Sequence, residues 1–209
     1  YGRERAVMEQ ALAWEGLQQE IAGLEGKSED PATRLHIDLK GKDPDEGMTG
    51  IPYDKGAAFL RTIEQAVGRE RFDAYLKSYF DRHAFQSMTT ARLVEDLQQN
   101  LLATNPGQVT DAEIQEWVYG AGIPATAPKV ESRRFITVDA ARIAWTGSGM
   151  LPAQSITGTW STQEWVRFLE GMPDALKPEQ LRQLDEAYTL TGTPNGEIAQ
   201  RWYPLAERS

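Results

Sequence analysis

The chain has no cysteine and only two histidines in 209 residues. Without thiols there is no disulfide framework, no thiolate zinc site and no cysteine nucleophile. The two imidazoles, His36 and His83, stand far apart, and no H-E-x-x-H helix sets a pair on one face. No serine occupies a G-x-S-x-G turn, so the sequence offers no nucleophile elbow. Positive charge is also in short supply. The 22 Lys and Arg face 31 Asp and Glu, for a net charge of −9, which argues against nucleic acid as a partner. No apolar run reaches the roughly 18 residues that mark a membrane-spanning helix.

What remains is an ordinary globular composition, 40% hydrophobic and 25% charged, with enough apolar surface to build a core. Its patterning is helical. Val7, Ala11, Trp14, Leu17, Ile21 and Leu24 recur in steps of three or four and predict a helix over 3–25. Leu35, Ile37 and Leu39 alternate with His36, Asp38 and Lys40, which predicts a short extended segment with His36 on its polar side. Residues 40–52 are rich in Gly, Asp and Pro and predict a loop. A helix is expected from Pro52 to Gly68 over Phe59, Leu60, Ile63 and Val67, with Gly68 as a left-handed cap. Another is expected over 69–83 with Phe72, Tyr75, Leu76, Tyr79 and Phe80 inward; His83 in its last turn suits the helix dipole. Thr89 or Thr90 caps the next, and Thr110 with Glu113 forms a capping box for a fifth. Gly120 to Pro128 holds two Gly and two Pro and reads as a linker. Beyond it, 135–145 is apolar and helical, Ser161 with Glu164 forms a second capping box, and Pro178 and Pro194 are placed to open two more helices. The tail therefore reads as antiparallel helix pairs.

The segment Asp43-Pro44-Asp45, followed by Ile51-Pro52-Tyr53-Asp54-Lys55-Gly56, resembles a stretch of the leukotriene A4 hydrolase and aminopeptidase N family of zinc peptidases. In that family an apolar residue, Pro, Tyr, an acidic residue, Lys and Gly open a helix. Further landmarks follow in the same order: Trp14 with Gly16-Leu17-Gln18, Phe85 to Thr90, Trp117, the Gly-Ile-Pro linker, and Asn195-Gly196-Glu197-Ile198 with Arg201-Trp202. The resemblance covers nearly the whole chain. It implies a mainly α fold. Residues 1–119 would be the helical second half of a thermolysin-like catalytic domain, 120–134 a linker, and 135–209 the first part of a helical C-terminal domain. It also implies a zinc cofactor whose ligands and general base lie in a missing N-terminal part of the same enzyme, so that this chain alone is expected to hold no zinc ligand, to be inactive and to expose apolar surface. A peptide is the implied substrate, with neither nucleic acid nor membrane as partner.

By this resemblance Tyr53 is the catalytic residue of the chain. A phenol keeps its proton at neutral pH, its reference pKa being about 10, and it can donate to the oxyanion that develops on an attacked carbonyl. Pro52 fixes the helix entrance and the helix N-terminus adds a field favourable to an anion. Read from the residues alone, Tyr53 is a packing side chain with its hydroxyl at the surface, since a Tyr at a helix start is commonplace and pairs with no base here. Asp45 is the counterpart of a residue linked to epoxide opening, whereas Met48 stands where leukotriene A4 hydrolase carries a Tyr; both Asp43 and Asp45 also suit a simple turn. Asp54 and Lys55 read as a solvated first turn, Gly56 as a close-packing position, and the tail aromatics Trp145, Trp160, Trp165, Trp202 and Tyr203 as core. Arg133 and Arg134 read as a surface pair, with a substrate carboxylate as the sharper alternative. Two further readings stay open: a non-catalytic helical interaction module on the same scaffold, and an epoxide hydrolase.

Overall fold

A computed structural model describes residues 2–41, 43, 45 and 49–209. The described residues form helices and turns without a strand, as the 3.6-residue patterning requires. We label the helices α1 (Arg3–Gly23), α2 (Ile51–Val67), α3 (Arg69–His83), α4 (Thr90–Asn100), α5 (Asp111–Tyr119), α6 (Arg133–Ser148), α7 (Gln154–Thr157), α8 (Thr162–Glu170), α9 (Pro178–Tyr188) and α10 (Gly196–Arg208). No helix among the described residues is long and apolar enough to cross a membrane.

The chain divides into two compact units, Leu12–Lys129 and Tyr1–Ala11 with Val130–Ser209. In the first, the inward stripe of α2 (Ala58, Phe59, Ile63, Val67) packs with Phe72 and Tyr75 of α3, Val94 and Leu97 of α4, and Ile114, Trp117 and Val118 of α5. The caps act where the sequence places them. Thr89 Oγ1 accepts from the Arg92 amide, and Thr110 and Glu113 close a reciprocal box, satisfying helix-end donors that would otherwise lose a bond. In the second unit, Val138 and Trp145 of α6 join Phe168 and Leu169 of α8, Leu184 of α9 and Trp202 and Leu205 of α10. Trp160, Trp165, Phe168 and Tyr188 pack edge to face, with Trp165 and Tyr188 centroids 5.1 Å apart.

Several local expectations are corrected. Gly68 ends α2 at φ 91° and ψ 146°, a conformation open to glycine but not the left-handed helical cap expected. It also serves as the N-cap of α3. Leu60 and Phe80 are exposed, Phe80 to 67%, because the buried stripes of α2 and α3 are narrower than their apolar runs. Asn195, not Pro194, starts α10: its Oδ1 accepts from the Glu197 and Ile198 amides. Leu35 to Lys40 keeps its alternation of half-buried and exposed residues. Its His36 amide donates to the Val118 carbonyl at 2.8 Å, but no strand ladder forms among the described residues. Among the tail aromatics Tyr203 is 44% exposed, its hydroxyl accepting from the Gly192 amide.

Candidate active site

The Ile51 to Gly56 segment opens α2, with Pro52 in its first turn. Gly50 precedes it, and its amide donates to Glu20 Oε1 on α1 at 2.9 Å. Ile51 and Lys55 lie one turn apart on the inward face and are both fully buried. Tyr53, two positions from each, therefore points the other way. Its ring is 68% exposed, and its hydroxyl makes no hydrogen bond among the described residues. The motif thus leaves a phenol free to meet a ligand. Beside the start of α2 opens a cleft of about 780 Å³, bordered by Asp30, Arg34, His36, Asp38, Lys40 and Thr49 among others.

Lys55 overturns its expectation. It is no solvated first-turn residue: its Nζ donates to the Thr33 carbonyl at 3.0 Å and to the Gly120 carbonyl at 2.8 Å. Burial pulls its ammonium down to about 8, and the like charge of Arg34 acts the same way, with Glu116 opposing. The two acceptors are themselves cross-tied, because the Gly122 amide donates to Thr33 Oγ1 at 2.7 Å. Gly122 must be glycine here: its φ is 70°, and a Cβ would come within 2.9 Å of the Ser28 carbonyl oxygen. At Gly56 a Cβ would meet only Leu35 Cδ1, at 3.4 Å, so close packing there is an ordinary contact.

Asp45 is exposed, and its amide donates to the Asp43 side chain at 3.0 Å, the local turn bond that Asp favours. Pro44 and Met48 lie outside the described residues. Arg134 is engaged within its own unit. It meets the buried Glu164 at 2.8 Å and the Thr159 carbonyl at 3.2 Å, which leaves the substrate-carboxylate alternative without support.

His83 holds a partner the sequence reading missed. Its Nε2 lies 2.8 Å from Asp96 Oδ2. Tyr75 donates its hydroxyl to Asp96 Oδ1 at 3.1 Å, and Arg82 Nη2 reaches the same oxygen at 2.8 Å. Burial pushes the Asp96 carboxyl up, but the bonds from Arg82, His83 and Tyr75 and the Arg82 charge outweigh it and hold the carboxyl below its ordinary value. A carboxylate depressed on folding stabilises the fold above its unfolded pKa and loses that contribution as pH falls through the folded value. Asp96→Asn is therefore expected to lose about 1–2 kcal/mol at neutral pH and to show a flatter stability profile below pH 3.8; denaturant unfolding from pH 2 to 7 checks both. His36 contacts Thr90 Oγ1 at 3.1 Å and packs at a tilt against the Tyr119 ring, with centroids 5.2 Å apart. Among the described residues no group of three or more His, Asp or Glu stands together to hold a metal, so the zinc implied by the resemblance has no fitting ligand set there.

The chain matches the Peptidase family M1 domain over residues 4–117 and the Leukotriene A4 hydrolase, C-terminal family over residues 160–209. It is 28% identical over 201 residues to Leucine aminopeptidase 2 of Sclerotinia sclerotiorum, across 92% of this chain and 32% of that protein. To a Leukotriene A-4 hydrolase homolog of Botryotinia fuckeliana it is 27% identical over 199 residues, across 92% and 30%. The fold is that of yeast LTA4 hydrolase in complex with Bestatin, with a TM-score of 0.81 at 19% identity over 100% of this chain and 37% of that chain. The chain thus spans about a third of the length of the relatives it matches.

Proposed function

The chain belongs to peptidase family M1, and from that premise we propose that it forms the helical part of a zinc-dependent aminopeptidase in which Tyr53 donates a hydrogen bond to the oxyanion of peptide hydrolysis. The observation that carries the reading is the freedom of Tyr53. The family-like segment opens α2 with this phenol outward, unpartnered among the described residues and 68% exposed. Attack on a peptide carbonyl moves charge onto its oxygen, and a fixed donor there binds the transition state more strongly than the ground state. The N-terminus of α2 adds a favourable field, and anchoring by Ile51 and Lys55 limits the reorganisation the donor needs.

In this proposal residues 1–119 belong to the catalytic domain, 120–134 to a linker and 135–209 to a helical C-terminal domain. The zinc and the general base belong to another part of the full-length polypeptide, which is the partner this chain requires. The name of the relative Leucine aminopeptidase 2 supports an N-terminal residue of a peptide as the proposed substrate. Asp45 carries the lesser, epoxide-linked part of the reading.

Two assays test the proposal. The full-length protein should release p-nitroaniline from leucine p-nitroanilide, lose that activity to a chelator and regain it with zinc. A full-length protein that binds no zinc and cleaves no N-terminal residue would leave the helical interaction module in its place. A lipid epoxide offered to the same protein tests Asp45.

A further inference from the structure

We infer that Lys55 is a positioning residue for Tyr53: clamped between the Thr33 and Gly120 carbonyls, it sets the height and direction of the first turn of α2 and so the place of the Tyr53 hydroxyl. The inference rests on the proposed oxyanion role of Tyr53.

Burying an ammonium group is costly, and an apolar side chain of similar volume packs a helix more favourably. Packing alone therefore gives no reason for a lysine on the inward face beside Ile51, one turn away and equally buried. What a lysine supplies is a directional head on a long stem. Its Nζ ties α2 to two segments distant in sequence, at 3.0 Å to Thr33 and 2.8 Å to Gly120. Neither acceptor is free to follow a drifting helix. Thr33 closes a short 3-10 turn over Pro31–Thr33, which Asp30 caps by accepting from the Ala32 amide. Gly120 follows α5, and two residues on the Gly122 amide donates to Thr33 Oγ1, with no room there for a side chain. The clamp is one continuous network on the inner side of the turn whose outer side carries Tyr53. Loss of the clamp lets that turn shift without removing any atom that touches substrate, and a displacement near 1 Å at a reacting group costs up to about 10²-fold in rate.

A double-mutant cycle in the full-length enzyme tests this, with Lys55→Met, Tyr53→Phe and the pair assayed on leucine p-nitroanilide. The expected result is a drop in kcat of about ten- to a hundred-fold for Lys55→Met, with KM little changed, and no further drop when Tyr53 is already Phe. An equal drop in both backgrounds, or none in either, overturns the positioning role while leaving Tyr53 in place. If Tyr53→Phe alone retains full kcat, the underlying reading of Tyr53 falls and the inference falls with it. Should Lys55→Met not fold, Thr33→Val loosens the same clamp by removing the hydroxyl that accepts from Gly122. It should give a smaller kcat loss, again absent in the Tyr53→Phe background; a loss of equal size in both backgrounds overturns the role.

Discussion

On the proposed oxyanion role, replacing Tyr53 with phenylalanine in the full-length protein is expected to lower kcat on an aminoacyl anilide by about two to three powers of ten, with KM little affected. The substitution removes one oxygen and leaves the ring. Because the side chain is 68% exposed and its hydroxyl unpartnered among the described residues, the fold loses nothing larger than about 0.5 kcal/mol. A rate loss of that size with unchanged stability belongs to the transition state, since a donor aimed at developing charge contributes about 2.7–4 kcal/mol there and little to ground-state binding. Steady-state kinetics with a parallel thermal melt separate the two. Unchanged hydrolysis would remove Tyr53 from the mechanism.

Lys55→Ala should destabilise the 209-residue chain by about 3 kcal/mol. Three buried methylenes are lost at about 0.8 kcal/mol each, and two carbonyls are left without a donor at about 1–3 kcal/mol each. Against that stands relief of the buried charge. Its pKa falls from 10.5 to about 8, a cost of about 3 kcal/mol at about 1.4 kcal/mol per unit. Lys55→Met keeps the stem and should cost only about 1 kcal/mol by the same reckoning. The pH dependence has a definite sign. Between pH 8 and 10.5 the unfolded lysine holds its proton while the folded one releases it, so the unfolded state binds more protons and stability rises with pH in that window. The Met variant should lack this rise. Denaturant titrations across pH 7 to 11 check the sign, and an alanine variant as stable as the parent would show that Lys55 is not the clamp its bonds describe.

The helices were legible because their signals are local. The spacing of Phe59, Ile63 and Val67, the boxes at Thr110 and Ser161, and Pro178 at a first turn each act within a few residues, and the structure realises all of them. The misses share the opposite character. Phe80 and Leu60 continue apolar patterns yet face outward, and among the described residues that edge of the stripe stays exposed. Lys55 follows Asp54 in a charged first turn and gave no sign of burial, because its partners lie 22 and 65 positions away. Asp96 looks like any acidic residue on an amphipathic helix until Tyr75, Arg82 and His83 are brought to it.

By itself, the sequence determined a cysteine-free, acidic, helical chain with its caps and turns in place and an M1-like segment at the mouth of one helix, because composition and short-range periodicity are properties of neighbours along the backbone. Tertiary structure alone decided which side of that segment is inside. The burial of Ile51 and Lys55 needs Thr33 and Gly120 folded back against α2, and only that long-range closure turns Tyr53 outward.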